Sequence, residues 1–556
     1  MLTGRRLRSD FSLGGGQAEA DPLLQDAFYE TGDYSAIRSR RDPRCFIVAR
    51  TGAGKSAALT RLEEQFPDHL IRIAPQDLSL PYITDMQIMK YLTQLDVRLD
   101  LFFEALWKHV LLVEIIRHRY KVDSPAAKQN FFMQIKNVIA RDPAKREALK
   151  YLDEFEGKFW CETDQRVREI VEKFERSVER GGDAKFAFAG HGAGISGKGS
   201  QSGIRESKGE EAERYQRIVN NTQLARLNKM ITVLNEDILD PAHSTYVVID
   251  DLDTQWVDER LSNDLIRCLF STVLSLKKVQ NLKVLVALRT NIFERIDFGE
   301  RGAQEEKFRS LILQIKWTRP DLRDMLDERA RAAGKEVGLP IKSLADVVPL
   351  KNNTRRGDPV DYIIDRTLMR PRDAIAYLNE CFSTAQGDGN RLSWEDIKSA
   401  GRAYSRDRLL ALRDEWKSSY PGIDQTFELF RGVGYPMDRA QFQSHLDDVM
   451  VLPADPSFPG VEWVGSLSGD MWKPGSANGE WVNLYKPLTR LFFNIGFIGC
   501  RRAVDAKEVY SHDDAEYIKH DKNLASDCSF YVHPAFHRAL DITSPFTGED
   551  SRGLSS

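Results

Sequence analysis

The chain has 556 residues, 42% of them hydrophobic and 29% charged, with a formal net charge of −4. That length is too great for one hydrophobic core and predicts three or four domains of about 100–200 residues each. So weak an acidity excludes a global pull toward nucleic acid or an anionic membrane, though not a local basic face.

Six scattered cysteines (Cys45, Cys161, Cys268, Cys381, Cys500, Cys528) include no C-x-x-C pair, which predicts buried or free thiols in a reducing compartment and argues against disulfides or zinc. The first twelve residues are basic but have no apolar core behind them, so no secretory signal is read there. A cytoplasmic protein is expected, with no membrane partner.

Residues 17–43 read as a short helical lead-in. Tyr34 or Phe28 would stack on a base or, the plainer expectation, pack against the first strand. That strand is the apolar run starting at Cys45. It leads into Arg50-Thr51-Gly52-Ala53-Gly54-Lys55-Ser56-Ala57 and then a helical stretch, the pattern of a phosphate loop with Ala49 in place of the leading glycine. Gly52 and Gly54 would let backbone N–H groups close on phosphate oxygens, which the following helix N-terminus also attracts. Lys55 would bridge the β- and γ-phosphates and the Ser56 hydroxyl would ligate Mg²⁺. ATP and Mg²⁺ are the ligands this spacing implies. A second run, Gly192 to Gly199, has similar spacing but lacks the hydroxyl and an apolar helix behind it, and reads as a flexible loop.

His69–Ala74 reads as a second strand, followed by a largely helical insertion over about residues 80–240. Inside it, Leu99–Ile116 is interrupted by charges and is expected to be a core helix rather than a membrane span. Leu224, Leu227, Ile231, Leu234 and Ile238 make an apolar seam that predicts core packing, with a partner coiled coil as the alternative.

The strand Thr245–Ile249 ends in Asp250-Asp251. After a phosphate loop, such a pair is where the metal is held: Asp250 on Mg²⁺ and Asp251 on the attacking water. Asp253 reads as a helix-start or surface acid, with contact to the site as the alternative. The strand Leu282–Leu288 ends in Arg289-Thr-Asn291, where Arg289 or Asn291 would report the γ-phosphate if the strand lies between the other two; a polar strand-end turn is the alternative. Leu311–Trp317 reads as a further strand, and Pro320 with Asp321 opens a helix. Alternating strands and helices predict a parallel sheet covered on both faces.

From about residue 340 the strands stop. Asp358–Leu368, Pro371–Thr384 and Trp394–Ser418 read as helices of a lid, the last opened by an approximate capping box at Ser393 and Asp396. Arg372 falls in the first turn of its helix, where a cation opposes the helix dipole and calls for an anion, either a phosphate or an acidic side chain. Further on, helices near Asp438–Met450 and Tyr485–Asn494 precede two β candidates, Glu508–Ser511 and Ser529–Val532, the order of a winged helix. His533 and His537 lie four apart without a third ligand, which favours packing over zinc.

Together the loop, the Val-Val-Ile-Asp-Asp-Leu-Asp253 run and Arg370-Pro-Arg-Asp-Ala-Ile375 resemble the P-loop ATPases of the STAND/KAP and AAA+ assemblage. Gly496-Phe-Ile-Gly499 and His533-Pro-Ala-Phe-His-Arg-Ala-Leu540 resemble a group of prokaryotic P-loop ATPases, many linked to phage defence. The resemblance implies an ASCE-type core, residues 1–340, a helical lid, 341–420, and a winged-helix-like α+β domain, 421–556. It makes Arg372 the lid arginine that senses nucleotide. Asp251 stands where many relatives carry glutamate, one methylene longer, which implies slow hydrolysis. The function so read is a Mg²⁺-dependent switch ATPase, a homo-oligomer acting on a protein effector. The rival is an ATP-regulated DNA-binding adaptor or loader working through the C-terminal domain. A small-molecule kinase is disfavoured because no second substrate pocket is read.

Overall fold

The computed structural model describes residues 11–74, 97–120, 125–146, 150, 212–213, 216–217, 224–252, 259–296, 308–350, 357–385, 390–472, 480–505 and 507–543. Cys161, the Gly192–Gly199 run, Asp253 and most of the insertion lie outside these residues. Two compact units divide the chain: Gly32–Arg50 with Arg61–Ile315, and Met1–Thr31 with Thr51–Thr60 and Lys316–Ser556.

The first unit is built on a parallel sheet. Its strands are β1 (Phe46–Ala49), β2 (Leu70–Ile73), β3 (Thr245–Ile249), β4 (Leu282–Arg289) and β5 (Ile312–Gln314). They lie in the order β2-β3-β4-β1-β5. The strands are nearly unbroken apolar runs because both faces of a parallel sheet are covered. β4 lies between β1 and β3, with Val286 opposite both Phe46 and Ile249. The apolar segment after residue 99 is the helix α3 (Asp100–Tyr120), preceded in chain order by α1 (Gly32–Arg38) and α2 (Lys55–Gln65).

Thirteen residues of α3 between Phe102 and Ile116 are buried, the apolar ones in the sheet's core cluster. Asp100 in its first turn and Arg117 to Arg119 in its last complement the helix dipole. Two further helices of the insertion are α4 (Pro125–Ala140) and α5 (Leu224–Val233), and α6 (Glu259–Leu276) follows β3. The Trp107 indole of α3 donates to the Leu265 carbonyl of α6 at 2.9 Å. The seam residues Leu227, Ile231, Leu234 and Ile238 are all buried in the same core, as the packing expectation had it. No helix among the described residues is long and apolar enough to cross a membrane.

The second unit is helical. After a six-residue helix α7 (Thr290–Arg295) at the tip of β4, the chain enters α8 (Arg319–Glu336), α9 (Pro359–Ile364), α10 (Pro371–Thr384) and α11 (Trp394–Trp416). Thr318 with Asp321 and Ser393 with Asp396 form capping boxes at α8 and α11, so aspartate closes the box here as glutamate would. One core joins these helices to Phe11, Leu13 and Leu23. Residues 11–23 are therefore built into the helical unit, while the helical lead-in expected before β1 is α1, Gly32–Arg38. The anchor of residues 11–23 is a buried ion pair, Arg329 to Asp21 at 2.7 Å, with Arg329 also donating to the Leu13 carbonyl. Tyr34 is buried in the first unit and its hydroxyl donates to Gln65.

A second core gathers α12 (Ile423–Glu428), α13 (Arg439–Val451), α14 (Val461–Ser468), α15 (Trp481–Asn494) and an antiparallel pair, β6 (Ile498–Arg501) with β7 (Ser529–Val532). Here the structure corrects the expected hairpin. The first strand is not Glu508–Ser511, which makes only a single bridge through Val509 to Cys500. The apolar Ile-Gly-Cys run takes the edge instead, because it buries while Glu508 and its neighbours are half-exposed. His533 and His537 are buried and held by backbone: Ala535 N–H donates to His533 Nδ1, and His537 Nε2 lies 2.8 Å from the Val532 carbonyl. Burial pushes His537 down to about 4, and no metal-holding cluster occurs among the described residues.

Lys283 on β4 gives a test of the first unit. Only 4% exposed, it donates to the carbonyls of Ala36, in the last turn of α1, and of Ser39 just beyond it. Burial lowers it from 10.5 to about 8. Below about pH 8 both folded and unfolded chains carry the proton and the penalty is fully present. Between about 8 and 10.5 only the unfolded chain keeps it, so this group's contribution to stability rises with pH. Relative to Lys283→Met, the parent should gain about 1–3 kcal/mol between pH 7.5 and 10 in urea titrations; a pH-independent difference would contradict the assignment.

Candidate functional site

Gly52 and Gly54 turn the chain out of β1 with φ of 81° and 92°, values that L-side chains rarely adopt. The loop carries its N–H groups to the first turn of α2, where Lys55 and Ser56 sit half-buried. A helix N-terminus with such a loop is a cradle for an anion. The Thr51 hydroxyl is buried without a hydrogen-bond partner.

Three side chains of the helical unit fix this loop from its carbonyl side. The Trp317 indole donates to the Ala53 carbonyl at 2.8 Å, and its ring would meet a Cβ on Gly54 at 3.8 Å. Arg372 lies against Gly52: a Cβ there would approach its own Cβ at 3.0 Å, and its backbone N–H faces the Gly52 carbonyl at 3.4 Å. Its guanidinium Nε donates to the Gly16 carbonyl at 2.7 Å. Arg370, two residues earlier, is the buried one. It is 7% exposed and donates to the Thr51 carbonyl at 2.9 Å and to Glu415 of α11 at 3.0 Å, while its Nε and Nη2 find no partner.

The acids follow β3 in the other unit. Asp250 is 1% exposed; its Oδ1 accepts the Asp251 N–H at 2.9 Å and its Oδ2 accepts from Arg72 of β2 at 3.2 Å. Asp251 takes a left-handed backbone, φ 59°, which aspartate tolerates better than most residues. Arg289 ends β4, the strand between β1 and β3, as the reading of a reporting residue required; Asn291 lies in the first turn of α7.

The structure thus brings Arg372 to the phosphate loop and Arg72 to Asp250. Sequence reasoning passed over Arg72, Trp317, Arg370 and Glu415. Arg72 interrupts an apolar strand, and Arg370 precedes Pro371 in the motif that drew attention to Arg372; both signals were readable. Trp317 and Glu415 carried none.

The strand order, with a Gly-Ala-Gly-Lys-Ser loop leaving β1, defines an α/β P-loop NTPase core. Residues 320–413, most of α8 to α11, match the family described as the FunZ-associated C-terminal helical domain. Over 554 residues the chain is 20% identical to a putative transposon gamma-delta 80.3 kDa protein of Escherichia coli K12, covering 95% of this chain and 67% of that one. The solved structure of the Aeropyrum pernix ORC1 protein in complex with DNA is 14% identical, covers 95% of this chain and 92% of its own, and has a TM-score of 0.28, too low a likeness to carry an argument.

The Arg370–Glu415 pair, 8% and 7% exposed at the side chains, is open to a direct test. Arg370→Met strands a buried carboxylate and should cost about 3–5 kcal/mol in denaturant unfolding. Adding Glu415→Leu should restore most of that loss, since an apolar pair replaces a buried ion pair at little cost. A double variant no more stable than the single one would show that the pair is not the interaction that matters.

Proposed function

We propose that this protein is a Mg²⁺-dependent ATP-binding switch ATPase with slow turnover. The observation that carries the reading is the loop itself. Two left-handed glycines, a helix beginning at Lys55 and an orphaned Thr51 hydroxyl make a polar cradle whose groups fit a polyphosphate.

On this reading the backbone from Arg50 to Ala57 binds the phosphates and Lys55 neutralises them. Ser56 and Asp250 would hold Mg²⁺, which when bound supplies positive charge to the phosphate oxygens. Asp251 orients the attacking water. The short aspartate side chain on a left-handed backbone is the reason to expect slow hydrolysis. Arg289 and Asn291 report the γ-phosphate from the end of β4. Arg372 is the lid residue that responds to the triphosphate, and the residue ranges 1–340, 341–420 and 421–556 serve as core, lid and C-terminal domain. The switch would act on a protein effector, within a homo-oligomer, and the resemblance of Gly496–Gly499 and His533–Leu540 to prokaryotic P-loop ATPases linked to phage defence supports a place there. The rival reading, a DNA-binding adaptor or loader, is kept for the C-terminal domain, whose helices precede a two-stranded β pair.

Four variants separate these roles. Lys55→Ala should abolish ATP binding in calorimetry while the fold persists. Asp251→Asn, isosteric and equally tolerant of a left-handed backbone, should bind ATP and fail to turn it over, whereas Asp250→Asn should also lose Mg²⁺ dependence. Arg372→Ala should narrow the ATP-over-ADP preference by about tenfold, as removal of one charge-assisted hydrogen bond of about 1.5–3 kcal/mol predicts. Unchanged ATP affinity in Lys55→Ala would sink the site; unchanged discrimination in Arg372→Ala, with weaker DNA binding, would favour the adaptor.

A further inference from the structure

Away from the phosphate loop, within the helical unit, a cavity of about 410 Å³ opens between α11, α12 and the segment after His537. From α11 it takes Arg402, Arg406 and Arg413, the last already paired with Asp414 at 3.1 Å. The helical repeat of 3.6 residues places these three on one face, with about 6 Å of rise from Arg402 to Arg406 and about 10 Å on to Arg413. Arg402 and Arg406 are exposed, and among the described residues neither forms an ion pair. Arg538 adds a fourth cation.

Leu410, 44% exposed, and the half-buried Leu409 give the same rim an apolar surface between the cations. The facing wall is different in kind. Asp424, Glu428 and Asp541 stand there, and Arg431 is already committed to the last two, at 2.7 and 2.5 Å.

We infer that this groove holds a single nucleic-acid strand, with phosphates on Arg402 and Arg406 and a base lying over Leu410 toward the acidic wall. Arginine is suited to phosphate because its planar fork donates twice to one anion. Splayed single-stranded bases offer a face to apolar or aromatic side chains and exocyclic amino groups to carboxylates. An acidic peptide would satisfy the arginines but would bring its own carboxylates toward the like charge of Asp424. The cavity falls within the range of about 300–1,000 Å³ that takes compact ligands, room enough for one nucleotide unit. Strand binding here is independent of nucleotide binding at Lys55.

The test uses the full chain and fluorescein-labelled 20-mer single strands of mixed sequence, DNA and RNA in separate titrations, read by anisotropy across a salt series. Binding to either should weaken at least about tenfold in Arg402→Ala/Arg406→Ala, and the salt slope should fall by about 0.7 for each phosphate that the variant no longer neutralises. Leu410→Asp should weaken binding with the arginines intact. Lys55→Ala should bind like the parent, which keeps failure of the ATP reading separate from failure of this one. Both arginines are solvent-exposed, and circular dichroism melts check that the variants fold. Absence of binding by the parent, or equal affinity and slope in the double variant, overturns the inference. Displacement of the oligonucleotide by poly-glutamate at equal charge concentration would assign the groove to an acidic protein partner and overturn it as well.

Discussion

A guanidinium buried between a loop carbonyl and a carboxylate is the constraint on which the helical unit depends. Arg370 cannot leave its position without stranding Glu415, and it cannot hold its position unless the Thr51 carbonyl stays within hydrogen-bonding reach. Its two unpartnered nitrogens make the arrangement costly as it stands. The carbonyls of Thr51, Gly52 and Ala53 all face side chains or backbone of the Lys316–Ser556 segment. With the carbonyls taken from that side, the loop's N–H groups are left to an anion. The geometry of a phosphate loop is thus imposed here by an arginine, an indole and a proline-led helix as much as by its glycines.

The same logic explains which features could be read from the residues and which could not. Strands β1, β3 and β4 were legible because a parallel sheet buried on both faces needs continuous apolar runs, and Phe46–Ala49, Thr245–Ile249 and Leu282–Leu288 have them. α10 was legible to the residue because Pro371 fixes its start. β6 was missed since Ile498-Gly-Cys follows a helix directly and its partner lies about 30 residues on, whereas alternation around Val509 imitates a strand. The N-terminal segment was missed for another reason. Its order comes from Arg329 and Asn379, more than 300 residues away, and no local pattern in Leu13-Gly-Gly-Gly16 encodes that. Among the site residues, the loop and Asp250-Asp251 were legible as types at a spacing. Trp317 and Glu415 were not, because such a side chain acquires its meaning only when folding supplies its partner.

Asp250 shows this on the sheet side. A carboxylate 1% exposed needs compensation, and Arg72 supplies it from the neighbouring strand, where Ile73 pairs with Ile249. Arg72 keeps a third of its side chain in solvent and also lies 3.6 Å from Glu63, so its charge is shared and screened. On the proposed reading, a divalent ion would compete with Arg72 for the Asp250 carboxylate, since it brings twice the charge to the same oxygens.

Arg372 connects the loop to the proposed switching. A ligand shifts an equilibrium only by the difference in its affinity for the two states. The side chain proposed to sense the triphosphate already spends its Nε on the Gly16 carbonyl, a neutral acceptor on the N-terminal segment. Exchange of that acceptor for a phosphate oxygen would replace a hydrogen bond charged on the donor alone by one charged on both partners, which is stronger. The gain is small enough to be reversed by loss of one phosphate, and it frees Gly16 as it is made. On the proposed reading, the difference between the two nucleotide states is then carried to the N-terminal segment. Arg329 holds Leu13 and Asp21 on either side of Gly16, and Asp21 also accepts the Gly15 N–H, so the displacement the segment can undergo is confined to residues 16–20.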